Sequence, residues 1–146
     1  MLGDQPYLDT SALAKWYINE PGSEAFVDFI RARSPAVISR LGAVELRSLL
    51  ARRRRAGELT QRYEQQALAT FEDDISAGDL RVEPLADMHA LIAYRLVESL
   101  TDQPLRTLDA VHLAVAQSLA LRLVATADRR LASAAGALGF EVAIFG

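Results

Sequence analysis

Short apolar segments alternate with longer amphipathic segments along the chain. The short segments predict strands at Pro6 to Leu8, Ala36 to Ile38, Leu80 to Glu83, Leu123 to Ala125 and Glu141 to Ile144. The longer segments have helical periodicity near residues 11–18, 22–33, 40–56, 61–76, 86–100, 108–121 and 129–138. This alternation is typical of a parallel sheet covered by helices, so we expect an α/β fold with a central, mainly parallel sheet of about five strands flanked by helices.

The composition suits one ordinary domain. The chain has 146 residues, of which 51% are hydrophobic, and this is enough for one core. It contains no internal repeat and no linker rich in Gly, Pro or Ser, so we expect residues 1–146 to form a single domain. The formal net charge of −3 argues against a protein that coats nucleic acid non-specifically, because such binding needs many phosphate contacts. It does not exclude a nuclease whose site is built from carboxylates.

Cysteine is absent, which excludes disulfides and cysteine-ligated zinc. The first six residues contain neither a basic segment nor an apolar run, so we expect no signal peptide. No apolar stretch is long enough to span a bilayer. We therefore expect a cytoplasmic protein that does not associate with membranes.

Two acidic residues directly follow predicted strands. Asp9 comes after the first strand and Asp128 after the fourth, and ligand sites of open parallel sheets lie beyond the carboxyl ends of the strands. Each carboxylate has a simpler interpretation as the N-cap of the next helix, where it would accept hydrogen bonds from free amides. Taken separately, both interpretations remain open.

Glu45 is an acidic residue on an apolar helix face. Leu41 and Leu49 lie four residues to either side, and they share its stripe on a helix that we expect to start after Ser39. A carboxylate in such a position is unusual unless something pairs with it. An ion pair with a nearby arginine such as Arg52 is the alternative to a functional role.

Asp109 is the most informative acidic residue. It is the only charged residue in the segment 108–121, which is apolar nearly all round and therefore typical of a buried helix. With Thr107 as the predicted N-cap, Asp109 lies in the first turn, where the helix dipole stabilises an anion. Dipole stabilisation alone does not explain an acid on a helix that is otherwise buried.

The four acids become more informative together. Two carboxylates ~5 Å apart repel by ~3 kcal/mol at an effective dielectric near 20, so a cluster of four needs a cation. Ligands that are all oxygens select a hard ion such as Mg²⁺ or Mn²⁺. Ions held in this way activate water and stabilise charge in phosphodiester hydrolysis. If the ends of these elements meet at one edge of the sheet, the sequence predicts a metal-dependent hydrolytic site there.

The segments that carry these acids resemble the motifs of one family. Tyr7 to Leu13 is similar to the opening motif of PIN domains, and in particular of VapC-type toxins. Further similar segments are Glu20 to Ser23, Ala43 to Leu46, Leu108 to Ala114 and Thr126 to Asp128. Each motif alone is weak, but their order and spacing fit the family from the first strand to the last.

The resemblance implies a Rossmann-like PIN fold and a ribonuclease that hydrolyses single-stranded or looped RNA with Mg²⁺ or Mn²⁺. It implies that Asp9 and Asp109 are the principal metal ligands. Glu45 would be a ligand or would orient the attacking water, and Asp128 would complete the acidic cluster, partly through water. It also implies a homodimer and a small antitoxin partner that blocks the site.

The resemblance further implies supporting roles for two hydroxyl residues. Ser11 and Thr126 would fix carboxylate rotamers by hydrogen bonds. His112, three residues after Asp109, is interpreted as a packed histidine that helps to orient Asp109, with a ligand or base as the alternative. His89 is likewise interpreted as packed. The basic run 52–55 is interpreted as a solvated helix end that complements the dipole, with contact to RNA or antitoxin as the alternative.

The sequence supports other functions less well than a metal-dependent nuclease. A receiver-type phosphoryl-transfer domain needs a lysine after a late strand, whereas the single lysine of this chain is Lys15. A haloacid dehalogenase-type phosphatase needs a second aspartate where Ser11 stands, and no phosphate-binding P-loop is present. The remaining alternative is a non-catalytic PIN-like module that binds RNA or protein.

Overall fold

The computed structural model describes residues 4–146. Residues 1–3, on which the expectation of no signal peptide partly rests, lie outside the described residues. The strands are β1 (Pro6–Leu8), β2 (Ala36–Ser39), β3 (Leu80–Glu83), β4 (Leu123–Thr126) and β5 (Glu141–Ile144). The helices are α1 (Thr10–Tyr17), α2 (Ser23–Arg31), α3 (Arg40–Arg55), α4 (Gln61–Ala77), α5 (Asp87–Ser99), α6 (Thr107–Ser118) and α7 (Arg129–Ala137).

The strands form one sheet in the order β3-β2-β1-β4-β5, and every pair is parallel. The predicted α/β fold with a five-stranded parallel sheet is therefore confirmed. The chain builds outward from β1 in one direction through β2 and β3, and in the other direction through β4 and β5. The order thus reverses between β1 and β4, and open α/β sheets bind ligands at such a point.

Helices cover both faces of the sheet, and the central strands are buried as parallel strands usually are. Successive side chains of a strand point to opposite faces. Leu8 and Ile38 accordingly pack in a core with α1 to α4, whereas Tyr7 and Val37 pack in a second core with α5, α6 and α7. The alternation places the ring of Tyr7 on the same side of the sheet as α6.

Helix α6 ends earlier than its apolar pattern predicts. The pattern continues to residue 121, but the helix ends at Ser118. Ala120 adopts a left-handed conformation with φ of 54°, and the Leu121 amide donates to the carbonyl of Ala116 over 3.1 Å. These residues close the helix while their side chains remain apolar, which is why the pattern runs past its end. None of the helices within residues 4–146 is long and apolar enough to cross a membrane.

Candidate active site

The carboxyl ends of β1 and β4 place two of the acids side by side. Leu8 pairs with Ala125 in the parallel ladder, so the two strands finish at the same edge of the sheet. Asp9 follows β1 directly and caps α1, because Oδ1 accepts from the Ala12 amide over 2.9 Å. Asp128 caps α7 in the same way and accepts from the Arg130 amide over 2.8 Å. The N-cap interpretation of both acids is therefore confirmed, and capping leaves both carboxylates at this edge.

Asp9 is the most enclosed of the acids, with only 4% of its surface exposed. Ser11 Oγ donates to Oδ1 and Oδ2 over 2.8 and 2.9 Å, and Thr126 Oγ1 donates to Oδ2 over 2.6 Å. Burial raises the pKa of the Asp9 carboxyl, against the opposing effects of the Thr126 hydrogen bond and of His112. An ionised Asp9 is therefore costly here unless further positive charge approaches it.

The hydroxyls of Ser11 and Thr126 tie Asp9 to the loop after β4. Thr126 is fully buried, and its Oγ1 accepts from the Asp128 amide over 2.9 Å while it donates to Asp9. Ser11 Oγ accepts from the Ala127 amide over 2.8 Å. Each hydroxyl thus joins the Asp9 carboxylate to backbone of the loop after β4, so the rotamer of Asp9 is set by both strands.

Glu45 lies in the second turn of α3, whose N-cap is Ser39 as predicted. The alternative ion pair with a nearby arginine such as Arg52 is wrong, because no arginine within residues 4–146 forms an ion pair with Glu45. Within residues 4–146, the ring of His112 lies closest to Glu45, with Nε2 2.6 Å from Oε1. Thr10 Oγ1 donates to the same oxygen over 2.7 Å. Partial burial raises the pKa of Glu45, but the bonds from His112 and Thr10 outweigh it and hold the pKa below its usual value.

His112 is a packed histidine, as predicted, with 3% of its surface exposed. The expectation that it orients Asp109 is wrong. From α6 its ring reaches Glu45 on α3, and the Tyr7 hydroxyl lies 2.6 Å from Nδ1. Its ring nitrogens contact Glu45 and Tyr7, and among residues 4–146 no hydrogen bond joins His112 to Asp109. His89 is also packed, with 2% exposed.

Asp109 and Asp128 share a partner that the sequence analysis missed. Arg106 Nη2 lies 3.0 Å from Asp128 Oδ2, and its Nε lies 3.3 Å from Asp109 Oδ2. Arg106 is also the N-cap of α6, so the predicted cap, Thr107, is instead the first helical residue. Asp109 still lies in the first turn and is 8% exposed. The spacing of Arg106 three residues before Asp109 was the available signal for this pair.

Two members of the basic run 52–55 form ion pairs within the protein. Arg53 Nη1 lies 2.9 Å from Glu20 Oε2, and Arg54 Nε lies 2.7 Å from Glu64 Oε1. The run occupies the last turn of α3, where positive charge complements the helix dipole, as predicted. Lys15, which is only 9% exposed, also pairs with Glu20 over 3.0 Å.

The donor chemistry of this edge fits a divalent cation. Within residues 4–146, no three Asp, Glu or His side chains are arranged as a metal-binding group. Mg²⁺ needs fewer protein ligands than three, because proteins usually hold it by one or two carboxylates and it keeps several waters. The four acids offer only oxygen ligands, and the Arg106 guanidinium supplies positive charge between two of them. Such a site suits a hard ion.

The PIN domain family model matches residues 7–137, and the chain belongs to this family. It is 38% identical over 139 residues to Ribonuclease VapC46 of Mycobacterium tuberculosis strain H37Rv, across 93% of this chain and 94% of the relative. It is 35% identical over 143 residues to Ribonuclease VapC47 of M. tuberculosis strain CDC 1551, across 94% of both chains. The resemblance to VapC-type PIN domains is confirmed.

Solved structures share the fold at low sequence identity. VapC20 of M. tuberculosis, described as a sarcin-ricin loop cleaving toxin, matches with a TM-score of 0.70 and 18% identity, over 89% of this chain and 95% of that chain. FitAcB of Neisseria gonorrhoeae matches with a TM-score of 0.70 and 20% identity, over 94% and 96%. DNA-bound VapBC of Salmonella typhimurium matches with a TM-score of 0.68 and 19% identity, over 97% and 98%.

Proposed function

We propose that this chain is an endoribonuclease that depends on Mg²⁺ or Mn²⁺ and acts as the toxin of a VapBC-type toxin–antitoxin pair. The observation that carries the proposal is the meeting of Asp9 and Asp128 at the ends of β1 and β4, with Arg106 joining Asp128 to Asp109. Relatives named ribonucleases, aligned over nearly the whole chain, support it. PIN-domain ribonucleases generally depend on divalent metal ions. We further propose that residues 1–146 form one PIN domain.

The four acids have distinct roles in this proposal. Asp9 and Asp109 are the principal ligands of the cation, and Asp128 completes the acidic cluster, partly through water. Glu45 is a ligand or orients the water that attacks the phosphate. A bound divalent cation supplies Lewis-acid stabilisation of phosphate charge and lowers the pKa of a coordinated water.

Hydrolysis in this site needs no nucleophilic side chain. The hydroxyls of Ser11 and Thr126 both donate to Asp9, so they act by holding that carboxylate and not by attacking phosphorus. Attack by water gives products with 5′-phosphate and 3′-hydroxyl ends. Because the acids would repel an RNA phosphate, substrate binding also depends on the cation.

We also propose three macromolecular partners. RNA is the substrate, a small antitoxin blocks the site, and a second copy of the chain forms a homodimer in the cytoplasm. The likeness to VapBC and FitAB structures supports the antitoxin. For the homodimer we favour the exposed apolar face of α5 and α6, which carries Leu91, Tyr94, Val97 and Leu108 with 56%, 72%, 48% and 47% of their surfaces exposed. Exposed apolar patches of this kind mark interaction sites.

Sequencing of RNA 5′ ends in expressing cells tests the proposal without a guessed substrate. We expect new 5′-phosphate ends at a few discrete sites in cells that express the protein, and none with Asp9→Asn. The matched control is Asp102→Asn, which changes an exposed acid and should leave the cleavage pattern intact. Identical profiles for the unmodified protein and Asp9→Asn, with both folded and free of antitoxin, would favour a non-catalytic PIN-like module that binds RNA or protein.

A further inference from the structure

Glu45 is held through only one of its two carboxylate oxygens. The Thr10 hydroxyl and the His112 ring both reach Oε1, over 2.7 and 2.6 Å. Among residues 4–146, no hydrogen bond reaches Oε2. The carboxylate is therefore anchored at one oxygen and can offer the other to a ligand.

Both ring nitrogens of His112 are engaged. An ionised carboxylate can only accept hydrogen bonds, so Nε2 must carry the proton that points to Glu45. Nδ1 lies 2.6 Å from the Tyr7 hydroxyl. No ring nitrogen is left to bind a metal ion or to take a proton from water. The alternative in which His112 is a metal ligand or a base is therefore disfavoured, and His112 instead holds Glu45 by a hydrogen bond.

The core fixes this arrangement in place. Tyr7 is fully buried, and its ring packs edge-on against His112 with centroids 5.8 Å apart at an angle of 62°. Tyr7 belongs to β1, His112 to α6 and Glu45 to α3, so the contacts tie three elements together beside Asp9. Without them, the long side chain of Glu45 loses its anchors and can turn into solvent.

We propose that His112, oriented by Tyr7, is a positioning residue that holds Glu45 through Oε1 and so presents Oε2 to the divalent cation. This inference rests on the proposed function, because it assigns a role toward the metal of that site. Removing the hydrogen-bond partner of a metal ligand typically weakens metal affinity by about 10- to 100-fold. We expect a loss of about tenfold for His112→Leu, since Thr10 still holds Oε1.

Titration of the folded protein with Mn²⁺, without RNA, tests the proposal by isothermal calorimetry. The variants are His112→Leu, Glu45→Ala and the double variant. If His112 acts through Glu45, His112→Leu weakens Mn²⁺ binding in the natural background and has no further effect once Glu45 is Ala. His89→Leu is the matched control, because His89 is also a buried histidine with two hydrogen bonds, and it should not change Mn²⁺ affinity.

Each outcome has a definite meaning. Equal effects of His112→Leu in the two backgrounds, or unchanged Mn²⁺ affinity in the natural background, would overturn the positioning role. A protein with no saturable Mn²⁺ binding would instead overturn the metal site of the proposed function, and the positioning role with it. Tyr7→Phe keeps the ring volume and removes only the hydroxyl. If His112→Leu does not fold, Tyr7→Phe takes its place in the same cycle, with a smaller loss expected.

Discussion

Thr126→Val offers a sharp test of how the fold holds Asp9. Valine has nearly the shape of threonine, so the substitution removes one hydroxyl from a fully buried position. That hydroxyl donates to the Asp9 carboxylate over 2.6 Å and accepts from the Asp128 amide over 2.9 Å. A hydrogen bond to a charged group contributes about 1.5–3 kcal/mol, and a neutral one about 1 kcal/mol. We expect the free energy of unfolding to fall by about 3 kcal/mol.

The loss should be visible in both heat and chemical denaturation. For a domain of this size, about 3 kcal/mol corresponds to a fall in Tm of roughly 10 °C. The measurement is scanning calorimetry or urea unfolding in EDTA, so that no metal contributes. Thr70→Val is the matched control, because Thr70 is exposed on α4 and donates only to the Gln66 carbonyl. It should change the free energy of unfolding by less than about 0.5 kcal/mol.

The pH dependence separates a hydrogen bond to a charged group from simple packing. Burial raises the pKa of Asp9 above the ordinary 3.8, and the Thr126 hydrogen bond opposes this effect because it stabilises the ionised carboxylate. The contribution of the bond is present when Asp9 is ionised and is lost as the pH falls through its raised pKa. The difference between the natural protein and Thr126→Val should thus shrink as the pH falls from neutrality toward 3.8. A difference that is independent of pH, or equal to that of Thr70→Val, would refute the reasoning.

Three further predictions follow from other contacts. Arg106→Gln should bind Mn²⁺ more tightly, because it removes the guanidinium that forms ion pairs with Asp109 and Asp128. Calorimetry that shows unchanged or weaker Mn²⁺ binding would contradict this prediction. Tyr94→Glu should convert the proposed dimer to a monomer by placing a charge on the apolar face of α5 and α6, and light scattering after size-exclusion chromatography measures the mass. Lys15→Met should destabilise the protein at neutral pH by about 2 kcal/mol, a value between those of exposed and buried ion pairs. Burial raises the pKa of Glu20, but Lys15 and Arg53 outweigh this effect and lower that pKa. The loss of stability in Lys15→Met should therefore persist at pH 4.5 and above and shrink below it. Urea unfolding across this pH range is the check, and a loss that does not change with pH would count against the ion pair.

Local pattern was sufficient for the elements and their order. The predicted strands agree with the structure to within one residue, because each is a short segment, apolar or alternating apolar and polar, between clear helical segments. The N-cap positions of Asp9 and Asp128 were also readable, since a cap bonds to amides only two or three residues away. The order of the four acidic motifs identified the family before any contact between them was known.

Contacts between distant residues were decided only by the tertiary structure. Arg106 meets Asp128 across 22 positions, His112 meets Glu45 across 67, and Tyr7 meets His112 across 105. The sequence showed that His112 lay near Asp109 on one helix, but not that its ring would contact Glu45 on another. Periodicity determines which face of an element is buried, whereas the partner on that face depends on the strand order and on how the helices pack over it. The acids of this site could therefore be predicted from the sequence, whereas the side chains that hold them were determined only by the tertiary structure.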